Sequence, residues 1–148
     1  MRMLLVDDEP FFLEQLKQAI DACSREFNVP MEIAAECYDG REALRRIAET
    51  RPDAVFSDIR MSAMDGIELA RAIQERWPRL PVVIISGYPS FDYAREAMRT
   101  DVVDYLLKPI DREALKSVLV QLLRKVEDDQ YERLGRWMRP LVRSSREG

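Results

Sequence analysis

The chain has 148 residues, of which 47% are apolar and 34% are charged, and its formal net charge is −4. That length fits one domain with a short appendage, and no apolar run approaches the ~20 residues needed to span a membrane. Because the chain contains no histidine, its composition excludes Ser-His-Asp hydrolysis, histidine-ligated zinc and a phosphohistidine carrier.

Short apolar runs of strand length alternate with longer amphipathic segments along most of the chain. The predicted strands are Met3–Val6, Met31–Ala35, Ala54–Ser57, Val82–Ser86 and Asp104–Leu107. The predicted helices between them are Pro10 to about Glu26, Gly40 to Arg51, Gly66 to Trp77 and Phe91–Arg99, where apolar residues recur every three or four positions. Parallel strands need such crossover helices, so the alternation predicts an α/β fold of the (βα)5 type with a parallel five-stranded sheet.

The last predicted helix follows Asp111, an N-cap candidate, and is long. Its first part carries the apolar stripe Leu115, Leu119, Leu122, Leu123 and Val126, which is expected to pack on the sheet. Residues 127–130 are polar and interrupt that stripe. A second stripe then resumes out of register at Tyr131, Leu134, Trp137, Met138 and Leu141. We therefore expect residues 1–126 to form the domain and residues 127–148 to form a helical linker or tail.

Five polar residues stand at the ends of four predicted strands: Asp7, Asp8, Asp58, Ser86 and Lys108. The carboxyl ends of parallel strands share one edge of the sheet, where ligands bind, so these side chains are expected to meet. Three neighbouring carboxylates repel one another, and a hard divalent cation such as Mg²⁺ would relieve that repulsion. The amine and the hydroxyl would then face the cation across a gap that suits a phosphoryl group.

These residues, together with Met64-Asp65-Gly66, Gly87 and Tyr105, resemble the receiver domain of bacterial two-component response regulators. The resemblance covers residues 2–125. It implies a doubly wound, flavodoxin-like sheet with the strand order 2-1-3-4-5, which the alternation of elements alone does not determine. It also implies a cis peptide bond between Lys108 and Pro109, and a self-phosphorylating acceptor rather than a turnover enzyme.

The resemblance assigns a role to each residue of this edge. Asp58 would be the phosphoacceptor, because a carboxylate can attack phosphorus and form an acyl phosphate. Asp7 and Asp8 would hold Mg²⁺ with Asp58, one of them through a water molecule, and the main-chain carbonyl of Arg60 would be a further ligand. Lys108 would pair with the phosphate as a point charge.

Two further residues would form a switch that responds to phosphorylation. Ser86 would turn inward and donate to a phosphoryl oxygen, and Tyr105 would rotate from an exposed to a buried position. Arg60 and Tyr88, each two residues beyond a site residue, are expected to shield the acyl phosphate from water. Arg60 is expected on a solvent-facing loop without packing that would position its guanidinium.

Because the chain has no histidine, the phosphoryl group is expected from a sensor histidine kinase in the cytoplasm, where Cys23 and Cys37 would stay reduced. Residues 86–94 and 104–111 look most like receivers attached to AraC-type DNA-binding domains, so the expected output is transcription. DNA would be contacted only through an output domain absent from these residues, since no fold or aromatic group frames the five arginines between Arg133 and Arg146. A homodimer formed on phosphorylation is a further expectation.

Other functions remain as alternatives. A stand-alone phosphorelay receiver and a non-phosphorylated pseudo-receiver that only binds a partner both suit the same fold. A haloacid-dehalogenase-type phosphatase is rejected because it needs an acid where Arg60 stands. An FMN carrier is rejected because Asp7, Asp8 and Glu9 would repel the FMN phosphate.

Overall fold

A computed structural model describes residues 1–88 and 90–147 of the chain, and its side chains as far as Leu134 except those of Phe91, Tyr131 and Arg133. The strands are β1 Arg2–Val6, β2 Glu32–Cys37, β3 Ala54–Asp58, β4 Val82–Ser86 and β5 Asp104–Leu107. The helices are α1 Pro10–Phe27, α2 Gly40–Thr50, α3 Gly66–Arg76, α4 Phe91–Arg99 and α5 Arg112–Glu147. The elements alternate strictly, as the sequence predicts.

The five strands form one parallel sheet in the order β2-β1-β3-β4-β5. This order confirms the expected doubly wound fold. The register places Val6 opposite Ser57, and Ser86 opposite Leu107. Asp7 and Asp58 therefore follow paired residues on adjacent strands, and Lys108 comes one step beyond the partner of Ser86.

Both faces of the sheet are covered by helices. Residues of β1, β3 and β4 are buried almost throughout, which explains their continuous apolar runs. Leu13, Leu16, Leu115 and Leu119 from α1 and α5 pack on one face, whereas Ile47, Ile67 and Ile73 from α2 and α3 pack on the other. Each such fully buried side chain stabilises the fold by about 1.5–3 kcal/mol.

Side-chain caps hold several helix starts at the sheet's carboxyl edge. The carboxylates of Asp39, Asp65 and Asp111 accept from the backbone N–H groups of Glu42, Glu68 and Ala114 at 2.8, 2.8 and 3.0 Å. A capping bond of this kind is worth about 1 kcal/mol. The capping role predicted for Asp111 is therefore confirmed.

The edge strand β2 differs from its prediction. It begins at Glu32 rather than Met31 and ends at Cys37 rather than Ala35. Its apolar run stops at Glu36, but backbone pairing continues because Val6 lies opposite Cys37, and the N–H of Asp7 donates to the Cys37 carbonyl at 3.0 Å. Cys23 and Cys37 are both free and buried, and burial raises the pKa of Cys37 to about 12.

Helix α5 runs without a break through the polar residues 127–130. Arg79, in the α3–β4 loop, pairs with Asp129 at 2.9 Å and with Glu132 at 3.7 Å. The polar interruption of the stripe is therefore a contact with the domain rather than the end of the helix. The second stripe, apart from Leu134, and the arginines from Arg133 onward lie outside the described side chains. Within the described part of the chain, no helix is long and apolar enough to cross a membrane.

Candidate functional site

All five residues predicted at the strand ends lie at the carboxyl edge of the sheet, where Asp7, Asp8, Asp58 and Lys108 come together and Ser86 ends the neighbouring strand β4. Asp7, Asp58 and Ser86 are buried, whereas Asp8 is exposed. Gly66 is required beneath this edge because a Cβ there would lie 2.2 Å from the main-chain oxygen of Asp58 and 2.9 Å from the Ile59 Cα. The start of α3 can approach the end of β3 this closely only without a side chain.

The three carboxylates form one cluster. Asp7, Asp8 and Asp58 each offer an oxygen, and these oxygens lie within 4.8 Å of one another. The Asp58 Oδ1 accepts from the Ile59 N–H at 2.9 Å, and the Asp7 Oδ1 accepts from the Glu9 N–H at 2.8 Å. An all-oxygen, anionic donor set of this kind fits Mg²⁺ or another hard divalent cation.

Lys108 is the cation that faces this cluster. Its Nζ lies 2.8 Å from the Asp7 Oδ2 and 3.7 Å from the Asp58 Oδ1, and its side chain is 13% exposed. Burial by itself lowers the pKa of the Lys108 ammonium, but the Asp7 hydrogen bond and the charges of Asp58 and Asp7 outweigh it and raise the pKa. The peptide bond before Pro109 is cis, as the resemblance implies.

The negative charge of the three carboxylates is only partly balanced by the Lys108 ammonium. Burial and then the neighbouring charge of Asp7 raise the pKa of Asp58 to about 6, although Lys108 and the Ile59 N–H partly oppose this rise. Burial also raises the pKa of Asp7 against the same lysine. One ammonium against three ionised carboxylates leaves an excess of two negative charges, which one divalent cation would cancel.

Ser86 and Tyr105 converge on Tyr88 rather than on the carboxylates. The Ser86 Oγ accepts from the Tyr88 N–H at 3.0 Å and donates to the Tyr88 carbonyl at 3.2 Å. The Tyr105 hydroxyl donates to that same carbonyl at 3.2 Å. Both hydroxyls therefore depend on the position of one peptide group in the β4–α4 loop.

Arg60 lies over this loop. Its guanidinium carbon is 4.0 Å from the centre of the Tyr88 ring and 5.8 Å from that of Tyr93, a geometry that favours cation–π attraction. Arg60 and Tyr88 are both exposed. The expectation that the Arg60 guanidinium lacks packing is therefore wrong, because the ring of Tyr88 in the β4–α4 loop and that of Tyr93 in α4 lie against it.

Comparison with known proteins agrees with this geometry. The model of the response regulator receiver domain matches residues 3–120. The chain belongs to this receiver domain family. The receiver domain of AraT, a response regulator of Geobacillus stearothermophilus, is similar to it with a TM-score of 0.76 and 39% identity, over 87% of this chain and 97% of that one. The corresponding domain of mrkE from Klebsiella pneumoniae gives a TM-score of 0.75 and 27% identity, over 86% and 99%.

Curated relatives of the receiver domain are longer proteins. An uncharacterized response regulatory protein of Vibrio cholerae is 35% identical over 93% of this chain and 55% of its own length. The transcriptional regulatory protein HptR of Staphylococcus aureus is 34% identical over 94% and 52%. YesN of Bacillus subtilis, described as a transcriptional regulatory protein, is 30% identical over 85% and 33%. The chain therefore spans about half the length of the first of these relatives and a third of YesN.

Two features of this receiver domain escaped sequence reasoning. The main-chain carbonyl of Tyr88 gave no signal, because any residue carries one. Phe12 drew no prediction from the sequence; it is buried in the structure, and its ring lies 4.0 Å from the Lys108 Nζ. No spacing in the sequence links those two residues, which are about a hundred positions apart.

Proposed function

We propose that this receiver domain takes a phosphoryl group from a sensor histidine kinase onto Asp58. The charge arrangement around Asp58 carries the proposal, since three clustered carboxylates share one ammonium. A packing site would not gather uncompensated charge at a partly buried edge. Asp58, at 6% exposure, is shielded from bulk water but lies beside the exposed Asp8.

The proposed phosphoryl transfer forms one bond to phosphorus and breaks one. A carboxylate oxygen of Asp58 attacks phosphorus, the bond from phosphorus to the donor's imidazole nitrogen breaks, and its electron pair returns to that nitrogen. Oδ1 accepts from the Ile59 N–H, which makes Oδ2 the better placed attacking atom. Lys108, at 3.7 Å from Asp58, follows the negative charge onto the phosphoryl oxygens as a point charge and transfers no proton.

Magnesium fits the site as a charge-balancing cofactor. Asp7, Asp8, Asp58 and the main-chain carbonyl of Arg60 would hold it. When bound, it would offset charge on the transferring phosphoryl oxygens. Because Asp8 is exposed, the cation would stay open to solvent, as suits a cation that keeps part of its water shell.

Ser86 and Tyr105 would change position when Asp58 is phosphorylated. When the Ser86 hydroxyl turns to a phosphoryl oxygen, it gives up its bonds to Tyr88. The loop then shifts, and Tyr105 loses the carbonyl to which its hydroxyl donates. Tyr105 is thereby released to rotate inward, which changes the outer surface of α4 and β5.

The altered surface would control transcription through an output domain reached by residues 127–148, along which α5 continues as far as Glu147. It would also favour a homodimer. Relatives described as transcriptional regulators support this output. The acceptor is not a turnover enzyme, since one phosphoryl group occupies Asp58 until it is hydrolysed. An ATP-using kinase as donor would place the reaction in the cytoplasm.

Labelling with acetyl phosphate tests the assignment of Asp58. We expect wild type to gain one phosphoryl group in a Mg²⁺-dependent reaction, measured by intact mass, and Asp58→Asn to gain none. Asp39→Asn is the matched control, because it makes the same acid-to-amide change at a helix cap and asparagine also caps helices. Equal labelling of wild type and Asp58→Asn would refute the assignment. Absence of labelling in wild type would favour the pseudo-receiver.

Calorimetric titration with Mg²⁺ tests the metal ligands. Asp8→Asn should bind Mg²⁺ about tenfold more weakly, because it removes one anionic ligand. Glu9→Gln is the control, because it removes a charge that also acts on Asp7 and Lys108 while the backbone N–H that donates to Asp7 stays in place, and it should change the affinity less than about twofold. Equal loss in the two variants would mean that net charge, rather than ligation, governs binding.

A further inference from the structure

We propose that Phe12 is a positioning residue for Lys108, because its ring forms the wall that keeps the ammonium between Asp7 and Asp58. The inference rests on the proposed role of Lys108 at the phosphoacceptor site. Phe12 lies in the first turn of α1, immediately behind the loop that carries Asp7 and Asp8. Among the described side chains, only this aromatic ring lies over the Lys108 ammonium.

The ring is close and firmly held. The distance from the Lys108 Nζ to the ring centre is 4.0 Å, well within the range of cation–π attraction. Phe12 is 6% exposed and belongs to the core layer that also contains Leu16 and Leu115. The Lys108 side chain is nearly buried as well, so water screens the attraction little.

The Lys108 ammonium needs a further contact because its two carboxylate partners hold it unequally. Asp7 holds the ammonium by a hydrogen bond, whereas Asp58 lies beyond hydrogen-bond distance. The flexible four-carbon stem would let the ammonium swing outward toward solvent. On another side, Gly87 borders the stem closely enough that a Cβ there would lie 3.8 Å from the Lys108 Cδ.

An aromatic ring suits this task better than a further polar group would. A fourth carboxylate would hold the ammonium but would increase the repulsion within the acidic cluster. A carbonyl would occupy one of the three N–H donors that Lys108 needs for Asp7, Asp58 and an arriving phosphoryl oxygen. The ring face attracts the cation through its quadrupole and leaves all three donors free to follow the transferred charge.

Nuclear magnetic resonance tests the placement without any phosphorylation. We expect the ε-methylene protons of Lys108 to be shifted upfield in wild type by the ring current of Phe12. The shift should disappear in Phe12→Leu and persist in Phe12→Tyr, which keeps the ring. A wild-type resonance at the ordinary lysine position, or the same upfield shift in Phe12→Leu, would overturn the proposal.

The rate of labelling by acetyl phosphate with Mg²⁺ tests the consequence. Phe12→Leu should react about three- to tenfold more slowly than wild type, and Phe12→Tyr should stay within about twofold of wild type. Leu16→Val is the control for core damage, because it removes one methylene from the same layer but no ring, and it should also stay within about twofold.

These outcomes separate a positioning role from simple packing. If Phe12→Leu reacts at the wild-type rate, or if Leu16→Val is slowed equally, Phe12 only packs and the proposal is wrong. In a Lys108→Met background, Phe12→Leu should change the residual rate less than about twofold, and an undiminished effect there would also overturn it. If wild type itself takes no label, the proposed function fails, and the resonance of Lys108 alone decides the role of Phe12.

Discussion

The two halves of the candidate site are built differently. On one half, Asp7, Asp58 and Lys108 are nearly buried, and strand register and the close packing of Gly66 hold their backbone. On the other half, Arg60, Tyr88 and the Tyr105 hydroxyl lie at the surface, where a ring contact joins Arg60 to Tyr88 and one hydrogen bond joins the Tyr105 hydroxyl to the Tyr88 carbonyl. The rigid half concentrates unbalanced charge, and the loop half can rearrange at low cost. This division suits a site in which the rigid half would bind a phosphoryl group and the loop half would change conformation in response.

Replacing one glycine in each half should give the largest difference in the free energy of unfolding. Gly66→Ala would drive a Cβ into the main chain of Asp58 and Ile59, so the free energy of unfolding should fall by about 1–3 kcal/mol. Gly87→Ala meets only ordinary contact with the Lys108 stem and should cost less than about 1 kcal/mol. Urea denaturation measures both. Similar losses in the two variants would mean that the halves do not differ in rigidity.

The charge imbalance of the rigid half predicts a pH-dependent gain in stability for Asp58→Asn. The pKa of Asp58 rises from 3.8 to about 6 on folding, so the native state binds the proton more tightly than the unfolded state. Without a divalent cation, wild type should therefore lose stability as the pH rises from about 4 to 6. At pH 7, Asp58→Asn should be more stable by about 1–3 kcal/mol.

Chelator and magnesium provide the controls for this prediction. The difference between Asp58→Asn and wild type should shrink as the pH falls below 6 and vanish near about pH 3, which lies below both pKa values, so that the carboxyl group is protonated in folded and unfolded wild type alike. Excess Mg²⁺ at pH 7 should stabilise wild type more than the variant. If Asp58→Asn is no more stable than wild type at pH 7 in the presence of chelator, the cluster is not strained in the way we describe.

The loop half predicts a smaller, kinetic effect. Arg60 and Tyr88 stack on each other at the rim of the site, where they would hinder water from approaching the acyl phosphate. Arg60→Ala and Tyr88→Ala should each speed loss of the phosphoryl group by about two- to fivefold. Because the two side chains act as one unit, the double variant should be little faster than either single variant.

Time courses of phosphoprotein after donor removal measure these rates. If both truncations leave the rate unchanged or slow it, shielding is wrong, and the alternative in which Arg60 stabilises transition-state charge gains support. Fully multiplicative effects in the double variant would show that the two residues act separately.

The strand order, and with it the pairing of Val6 with Ser57 that makes Asp7 and Asp58 neighbours, was implied only by the family resemblance. The strands themselves and the meeting of the acids at one edge were predictable, because the buried runs of β3 and β4 were unambiguous and the carboxyl ends of parallel strands share an edge. The ends of β2 were not predictable, because an edge strand alternates apolar and polar residues and Glu36 looks like a stop. The continuity of α5 was hidden too, since Asp129 finds its partner Arg79 fifty positions away.

The loop half was less predictable because side-chain orientation decides it. The sequence indicated a hydroxyl at Ser86 and a phenol at Tyr105, but not that both bond to the carbonyl of Tyr88. Arg60 and Phe12 show the same limit. Arg60 was interpreted from its position in the chain and Phe12 drew no prediction, whereas the place of each depends on a ring contact with a residue from another element.

The central claim is that Asp58 itself carries the phosphoryl group. Borohydride reduces an acyl phosphate of aspartate to homoserine, so treatment of the acetyl phosphate-labelled protein should leave that residue at the acceptor position. Peptide mass mapping should find homoserine at position 58 in wild type, only when both donor and Mg²⁺ were present, and aspartate retained at positions 7 and 8. Homoserine at position 7 or 8 instead of 58, or unreduced Asp58 in protein that carries the label, would contradict the account.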